Sequence, residues 1–241
     1  MKNEILKRIL SSLILLPIVF FFIIKGSIFF IFFLGVFLLF AIYEWIKMSK
    51  NPIKFVGILY LLFSSFSALV LRDRGADLLF FVILICISTD IGGYVFGKLF
   101  KGPKLIKISP NKTYAGMVGG FFLSIFTGLL FVNLVLAGSN FSYLYPQYFG
   151  GFFSNDDFWI LIFILLISAV SQIGDLVISY FKRLAKIKNT GNIIPGHGGL
   201  LDRVDGIIFA IPAAVLFYNF EACYINKLFC FGLLDFSLIN F

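Results

Sequence analysis

Between residues 171 and 206 the chain reads SQIGDLVISYFKRLAKIKNTGNIIPGHGGLLDRVDG. This stretch concentrates the residue types that handle phosphates. A carboxylate, Asp175, lies inside a strongly apolar run, and Lys182, Arg183, Lys186 and Lys188 follow as that run ends. Pro195-Gly196-His197-Gly198-Gly199 then makes a glycine-rich turn, and Asp202, Arg203 and Asp205 open the next apolar run. Charges at the ends of membrane spans are costly, so they usually serve a substrate, an ion or one another. Carboxylates suit Mg²⁺, which keeps few protein ligands and shares its coordination sphere with phosphate oxygens. Basic side chains neutralise phosphates, and backbone N–H groups at Gly196, Gly198 and Gly199 can approach an anion closely.

Helical spacing groups these residues further. Ser171, Asp175, Ser179, Lys182, Arg183 and Lys186 fall at offsets −4, 0, +4, +7, +8 and +11 from Asp175, so they form one polar stripe with the carboxylate deepest. Asp202 and Asp205, three apart, can face the same interior. Asp175 and Asp202 are the best candidates for a metal-binding pair. Two other readings of the residues stay open: Asp–Lys or Asp–Arg pairs that tie helices together, and a proton or ion pathway. A second polar group, Ser88-Thr89-Asp90 followed by Gly92, Gly93, Tyr94 and Gly97, closes an earlier apolar run. Asp90 needs a partner there, whereas Gly93 with Gly97, and Gly116 with Gly120, have the spacing of close helix packing. The loop between, KLFKGPKLIKISPNKTYAG, reads as basic residues, a turn at Ser109-Pro110, and Lys112-Thr113 at the start of a span. Its basic residues also suit anionic lipid headgroups. His197 is the only histidine, which argues against zinc and for a phosphate or hydrogen-bond contact.

The elements that must hold these residues are membrane spans. Of 241 residues, 60% are hydrophobic and 13% charged, and the mean hydropathy is +1.02. Soluble domains average about 25% charged residues. Seven apolar runs, at roughly 5–24, 27–46, 53–71, 77–97, 115–137, 157–181 and 204–222, are long enough to cross a hydrocarbon core of about 30 Å. The tail, 223–241, is apolar but interrupted, and leaves room for an eighth span or an interfacial helix. With the N-terminus cytoplasmic, sixteen of the twenty Lys and Arg residues fall on the cytoplasmic side, as the positive-inside rule requires. The expected fold is therefore all-α: a polytopic transmembrane helical bundle with its active site at the cytoplasmic ends of the spans. Residues 1–75 would form N-terminal spans, and residues 76–241 a catalytic region with two basic cytoplasmic loops, 98–114 and 182–203. A bacterial cytoplasmic membrane is the expected location. The three cysteines show no paired spacing and read as packing residues, and the 34 phenylalanines as lipid-facing and core filler.

At these positions the sequence resembles the phosphatidate cytidylyltransferase (CDP-diacylglycerol synthase) family. That signature runs approximately S-x-x-K-R-x-x-x-x-K-D, a short spacer, then P-G-H-G-G-x-x-D-R-x-D. Here it is Ser179, Lys182, Arg183, Lys188 and Asn189, then Pro195 to Gly199, Asp202, Arg203 and Asp205. SQIGDL, DIGGYVFGKLF and ISPNKT also resemble family motifs, so the likeness covers residues from about 88 to 210. Asn189 replaces the usual Asp, and Ala115 replaces the Glu of an ISPxKTxEG pattern. The resemblance implies the reaction of CTP with phosphatidate to give CDP-diacylglycerol and pyrophosphate, with Mg²⁺ as cofactor held by Asp175 and Asp202. Lys182 and Arg183 would join those aspartates in catalysis. Asp90, Lys112, Ser179, Lys188, Gly196, His197, Gly198, Gly199, Arg203 and Asp205 would contact substrate. The expected partners are these two substrates and the lipid bilayer, with no nucleic acid; oligomeric state is not fixed and a homodimer is compatible. The competing functions are a CTP-dependent transferase or kinase on a polyprenol or ether lipid, an ion or proton transporter, and a silent membrane scaffold.

Overall fold

The computed structural model describes residues 17–50, 52–106, 109–137, 157–191 and 198–226. Seven helices occur among them: α1 (residues 17–25), α2 (Ser27–Met48), α3 (Ile53–Arg74), α4 (Ala76–Phe100), α5 (Tyr114–Ala137), α6 (Asp157–Leu184) and α7 (Leu201–Asn226). Where no water reaches the backbone, each N–H and C=O must pair within its own segment, so runs of this hydrophobicity become helices. Five stretches are long and apolar enough to cross a membrane: Ser27–Met48, Ile53–Arg74, Ala76–Phe100, Tyr114–Leu134 and Trp159–Leu184. The chain is thus a multi-pass membrane protein. Helix α7 has the length to span, but Asp202, Arg203 and Asp205 at its start lower its hydropathy. Of the expected first span, only residues from 17 onward are described, and 138–156 and 227–241 lie outside the described residues.

The helices alternate in direction, so one end of the bundle collects the ends of α2, α4 and α6 with the starts of α3, α5 and α7. There Trp45 of α2 meets the edge of Phe181 of α6, ring centres 5.0 Å apart, and its indole N–H donates to the Lys54 carbonyl at the start of α3. At the opposite end Arg72 donates to the carbonyls of Ile23 and Ile24, and Arg74 lies over the Tyr218 ring. Phe81, Phe163, Ile164 and Ile167 are fully buried between α4 and α6. Many other phenylalanines, Phe29, Phe32, Phe55 and Phe122 among them, face outward, as lipid-facing residues would.

Glycines set the closest approaches. A Cβ on Gly116 of α5 would come within 2.6 Å of the Gly93 carbonyl of α4, so this seam packs backbone on backbone, as the spacing anticipated. Helices α6 and α7 cross the same way: a Cβ on Gly174 would lie 2.9 Å from the Asp205 carbonyl, and one on Gly206 would lie 3.0 Å from the Ser171 carbonyl.

The connection from α4 to α5 departs from the expected plain loop. Strands β1 (Lys104–Ile106) and β2 (Ser109–Thr113) pair antiparallel, Lys104 opposite Thr113 and Ile106 opposite Ser109, with an irregularity between. Ser109-Pro110 therefore begins a strand instead of making the turn. A two-stranded ribbon consists only of edges, where a residue lacking an N–H is tolerated.

Helix α7 contains Pro212, which cannot donate to the carbonyl four residues earlier. That carbonyl, of Ile208, instead accepts from the Ser64 hydroxyl of α3 at 2.8 Å. Ser64→Ala should therefore lower stability by about 1 kcal/mol, the order of one interhelical hydrogen bond in a membrane. In a Pro212→Ala background, where an N–H again reaches Ile208, the same change should cost little. Reversible denaturation of the four proteins in mixed micelles measures the coupling; equal losses in both backgrounds would remove the link between the proline and the serine.

Candidate active site

Three segments bring charge to one end of the bundle. Helix α6 supplies Asp175, Ser179 and Lys182, β2 supplies Lys112, and the start of α7 supplies Asp202, Arg203 and Asp205. Lys112 and Asp175 form an ion pair, each about a quarter exposed. The Ser179 hydroxyl is 3.4 Å from Asp175 Oδ1, one helical turn along. On the α7 side, Asp205 comes within side-chain hydrogen-bonding reach of Asp175, a closeness that the Gly174–Gly206 crossing permits. Asp90, exposed on α4, feels the charges of Asp175, Lys112 and Arg203.

Asp202 is engaged on both oxygens. Lys182 Nζ donates to Oδ1 at 2.9 Å, while the Thr190 and Gly199 N–H groups donate to Oδ2 at 2.8 and 3.1 Å. Lys182 also acts on Asp175 and Asp205 through its charge. One ammonium thus serves carboxylates from two different helices.

The loop between α6 and α7 is shaped to allow this. Helix α6 ends in a Schellman turn: Lys186, at φ +58°, donates to Arg183, and Ile187 donates to Lys182. The chain returns through Gly198, whose φ of +88° lies in the left-handed region. A Cβ there would meet Asp202 Oδ2 at 3.0 Å and Asn189 at 3.3 Å, and one on Gly199 would overlap the Thr190 hydroxyl. The first turn of a helix leaves backbone donors without intrahelical partners. At α7, Gly199 N–H goes to Asp202, and Leu200 and Leu201 N–H go to Glu44 of α2 at 2.8 and 2.9 Å.

Of the residues singled out from sequence, Asp90, Lys112, Asp175, Ser179, Lys182, Gly198, Gly199, Asp202, Arg203 and Asp205 gather at this end. Arg183 and Lys188 are exposed, and Gly196 and His197 lie outside the described residues. Ser171, on the same stripe as Asp175, is fully buried. Glu44 was not among the expected site residues. Its one sequence signal is a carboxylate near the end of an apolar run, which must find a partner.

The donor set suits a divalent cation. Four carboxyl groups, Asp90, Asp175, Asp202 and Asp205, stand beside three cationic groups, Lys112, Lys182 and Arg203, so the cluster offers more oxygen acceptors than its own cations occupy. All its acceptors are oxygens, the ligands that Mg²⁺ prefers. Among the described residues no group of three or more His, Cys, Asp or Glu could hold a metal without other ligands. An ion here would therefore draw part of its sphere from water or a bound phosphate.

Beside the charges lies an apolar cavity of about 330 Å³ between α1, α2, α3, α4 and α7. Ile23, Phe33, Ala68 and Ile207 line it, and Arg203 and Leu200 contribute where it approaches the charged end.

Comparison with known proteins places these features in a lineage. The chain is 39% identical over 172 residues to a phosphatidate cytidylyltransferase of Brucella suis, covering 70% of this chain and 56% of that protein. It is 40% identical over 143 residues to a phosphatidate cytidylyltransferase of Staphylococcus aureus, covering 58% and 48%. The chain spans about half the length of these curated relatives. The sequence profile of the cytidylyltransferase family matches residues 53–221, a span holding every charged residue of the cluster, and the chain belongs to that family.

Proposed function

We propose that this chain is a membrane nucleotidyltransferase of phospholipid biosynthesis. It converts CTP and phosphatidate to CDP-diacylglycerol and pyrophosphate. One observation carries the reading: two lysine–carboxylate pairs, Lys112–Asp175 and Lys182–Asp202, brought together beside an apolar cavity. Phosphates and acyl chains both have a place in such an arrangement, and the family and its named relatives support the reaction. The site end is proposed to face the cytoplasm, with the N-terminus on the same side, from the sixteen-to-four division of basic residues.

In this reaction a phosphate oxygen of phosphatidate attacks the α-phosphorus of CTP. The bond from that phosphorus to the bridging oxygen breaks, and pyrophosphate leaves with the electron pair. The attacking monoester, with a second pKa of roughly 6 by analogy with phosphoserine, is already a nucleophile at neutral pH. No strong general base is required. The protein instead has to align two polyanions that repel each other and neutralise the charge that builds on the leaving group. Lys112, Lys182, Arg183, Lys188 and Arg203 supply positive charge, and the backbone N–H groups of the glycine turn supply donors. Asp175 and Asp202 would hold Mg²⁺, which, when bound, polarises phosphoryl oxygens and stabilises the leaving group. Lys182, already shared between the two aspartates, marks the space between them as one that favours positive charge. Arg203 would meet the lipid phosphate, with an acyl chain in the cavity beside it.

CTP-dependent conversion of phosphatidate by the purified protein, with and without Mg²⁺, tests the whole reading. Turnover on a polyprenol or ether lipid but not on phosphatidate would redirect it within the same chemistry. Asp175→Asn and Asp202→Asn should each lower turnover by about a hundredfold or more while the protein still inserts, since each removes a carboxylate that would hold Mg²⁺ at the reacting phosphates. Near-normal turnover in both would exclude the pair. Charge removal at Lys182 or Arg183 should raise KM for one anionic substrate more than matched changes at Lys47 or Lys50, and equal effects at all four would reduce the stripe to a topology signal. Restoring the family carboxylates with Asn189→Asp and Ala115→Glu should change turnover by at most about tenfold. Asn189 is exposed and Ala115 half-buried, and the aspartate pair is present without them. A gain of a hundredfold or more, in turnover measured against Mg²⁺ concentration, would make those positions direct ligands instead.

A further inference from the structure

Glu44 lies outside the span matched by the family profile, which begins at residue 53. Its side chain is nonetheless almost completely buried, at 1% exposure, and every bond it makes is to the loop of the candidate active site. Oε1 accepts from Leu200 N–H at 2.8 Å. Oε2 accepts from Leu201 N–H at 2.9 Å and from the Thr190 hydroxyl at 2.8 Å. The three donors flank the glycine turn on both sides, about ten residues apart in sequence. Two neighbouring glycines make room for the carboxyl: a Cβ on Gly191 would lie 2.7 Å from Oε1, and one on Gly199 would lie 2.5 Å from Oε2. Thr190 connects this contact to the chemistry. Its hydroxyl reaches Glu44, while its own N–H donates to Asp202, and Asp202 in turn holds Lys182.

We infer that Glu44 is a positioning residue for the transfer reaction: it latches the two limbs of the site loop to α2 and so fixes Asp202 and Lys182. This rests on the function proposed above. A bond between two helices along their length would resist sliding, but this one secures backbone donors at the start of α7 and a hydroxyl in the loop. A carboxylate accepting three donors from a loop in a buried setting is hard to replace. An amide of the same shape turns an N–H group toward at least one donor, leaving both unsatisfied.

The test uses the full chain in nanodiscs, as wild type, Glu44→Gln, Thr190→Val, Thr190→Ser and a control, Ser49→Ala. Ser49 is buried at the end of α2 but bonds only within its own helix. Amide hydrogen exchange over residues 188–202 is read beside kcat and KM for CTP. Glu44→Gln and Thr190→Val should speed exchange at Leu200 and Leu201 by about tenfold or more, the effect of losing one strong hydrogen bond. Both should lower kcat by about tenfold while KM for CTP stays within about threefold. Thr190→Ser, which keeps the hydroxyl, should restore both readouts, and Ser49→Ala should match wild type. Unchanged exchange and turnover in Glu44→Gln would overturn the inference. So would faster exchange spread equally along α6 and α7, which would make Glu44 a general packing residue. A wild-type chain without turnover on CTP and phosphatidate would end the proposed reaction, and the exchange comparison would then decide the latch by itself.

Discussion

In the absence of water, a polar group inside this bundle must find its partner within the protein. A helix satisfies that demand along its length and fails at its ends, where donors and acceptors are left over. The architecture follows from where those leftovers go. At one end they meet the carboxylates of Asp202 and Glu44. Within α7 the proline leaves one carbonyl vacant, and a serine from α3 fills it. Between α4 and α5, where glycine backbones touch, little besides packing is required.

The same constraint explains why the charged residues gather at helix ends and not at mid-span. Asp175 is two turns inside α6, yet the glycine crossing with α7 and the hairpin lysine give it polar company. Each charge in the cluster neighbours one of opposite sign, a condition under which ionisable groups persist in a span. Lys112 arrives on a short two-stranded ribbon that carries its ammonium back to Asp175 at the mouth of the bundle. The family match begins at the first residue of α3, but the arrangement depends on α2 as well, through Glu44 and Trp45.

Much of this was legible in the sequence because it is local. Apolar runs foretell helices, spacing by three and four foretells the stripe of Asp175, Ser179 and Lys182, and glycines four apart foretell a close seam. What escaped was non-local. Nothing near Glu44 points to Thr190 or Leu200, which lie some 150 positions away, and nothing near Ser64 points to a proline in α7. Spacing by three predicts a shared interior for Asp202 and Asp205, and both lie within reach of Lys182. In the fold they divide the work, with Asp202 turned to the loop and Lys182 and Asp205 turned to Asp175. The hairpin escaped because Ser109-Pro110 is as good a turn signal as any short sequence offers, and only the pairing of Lys104 with Thr113 overrides it.

Under the proposed function, the two lysine–carboxylate pairs would also make binding at this site an exchange of partners. Each lysine is already paired, so a phosphate that binds these ammonium groups competes with the aspartates for them. Where the phosphate wins, a carboxylate is left in need of a new positive partner. Under the proposed reaction, nucleotide and metal ion are therefore thermodynamically linked: each prepares the site for the other, and the linkage is reciprocal by necessity.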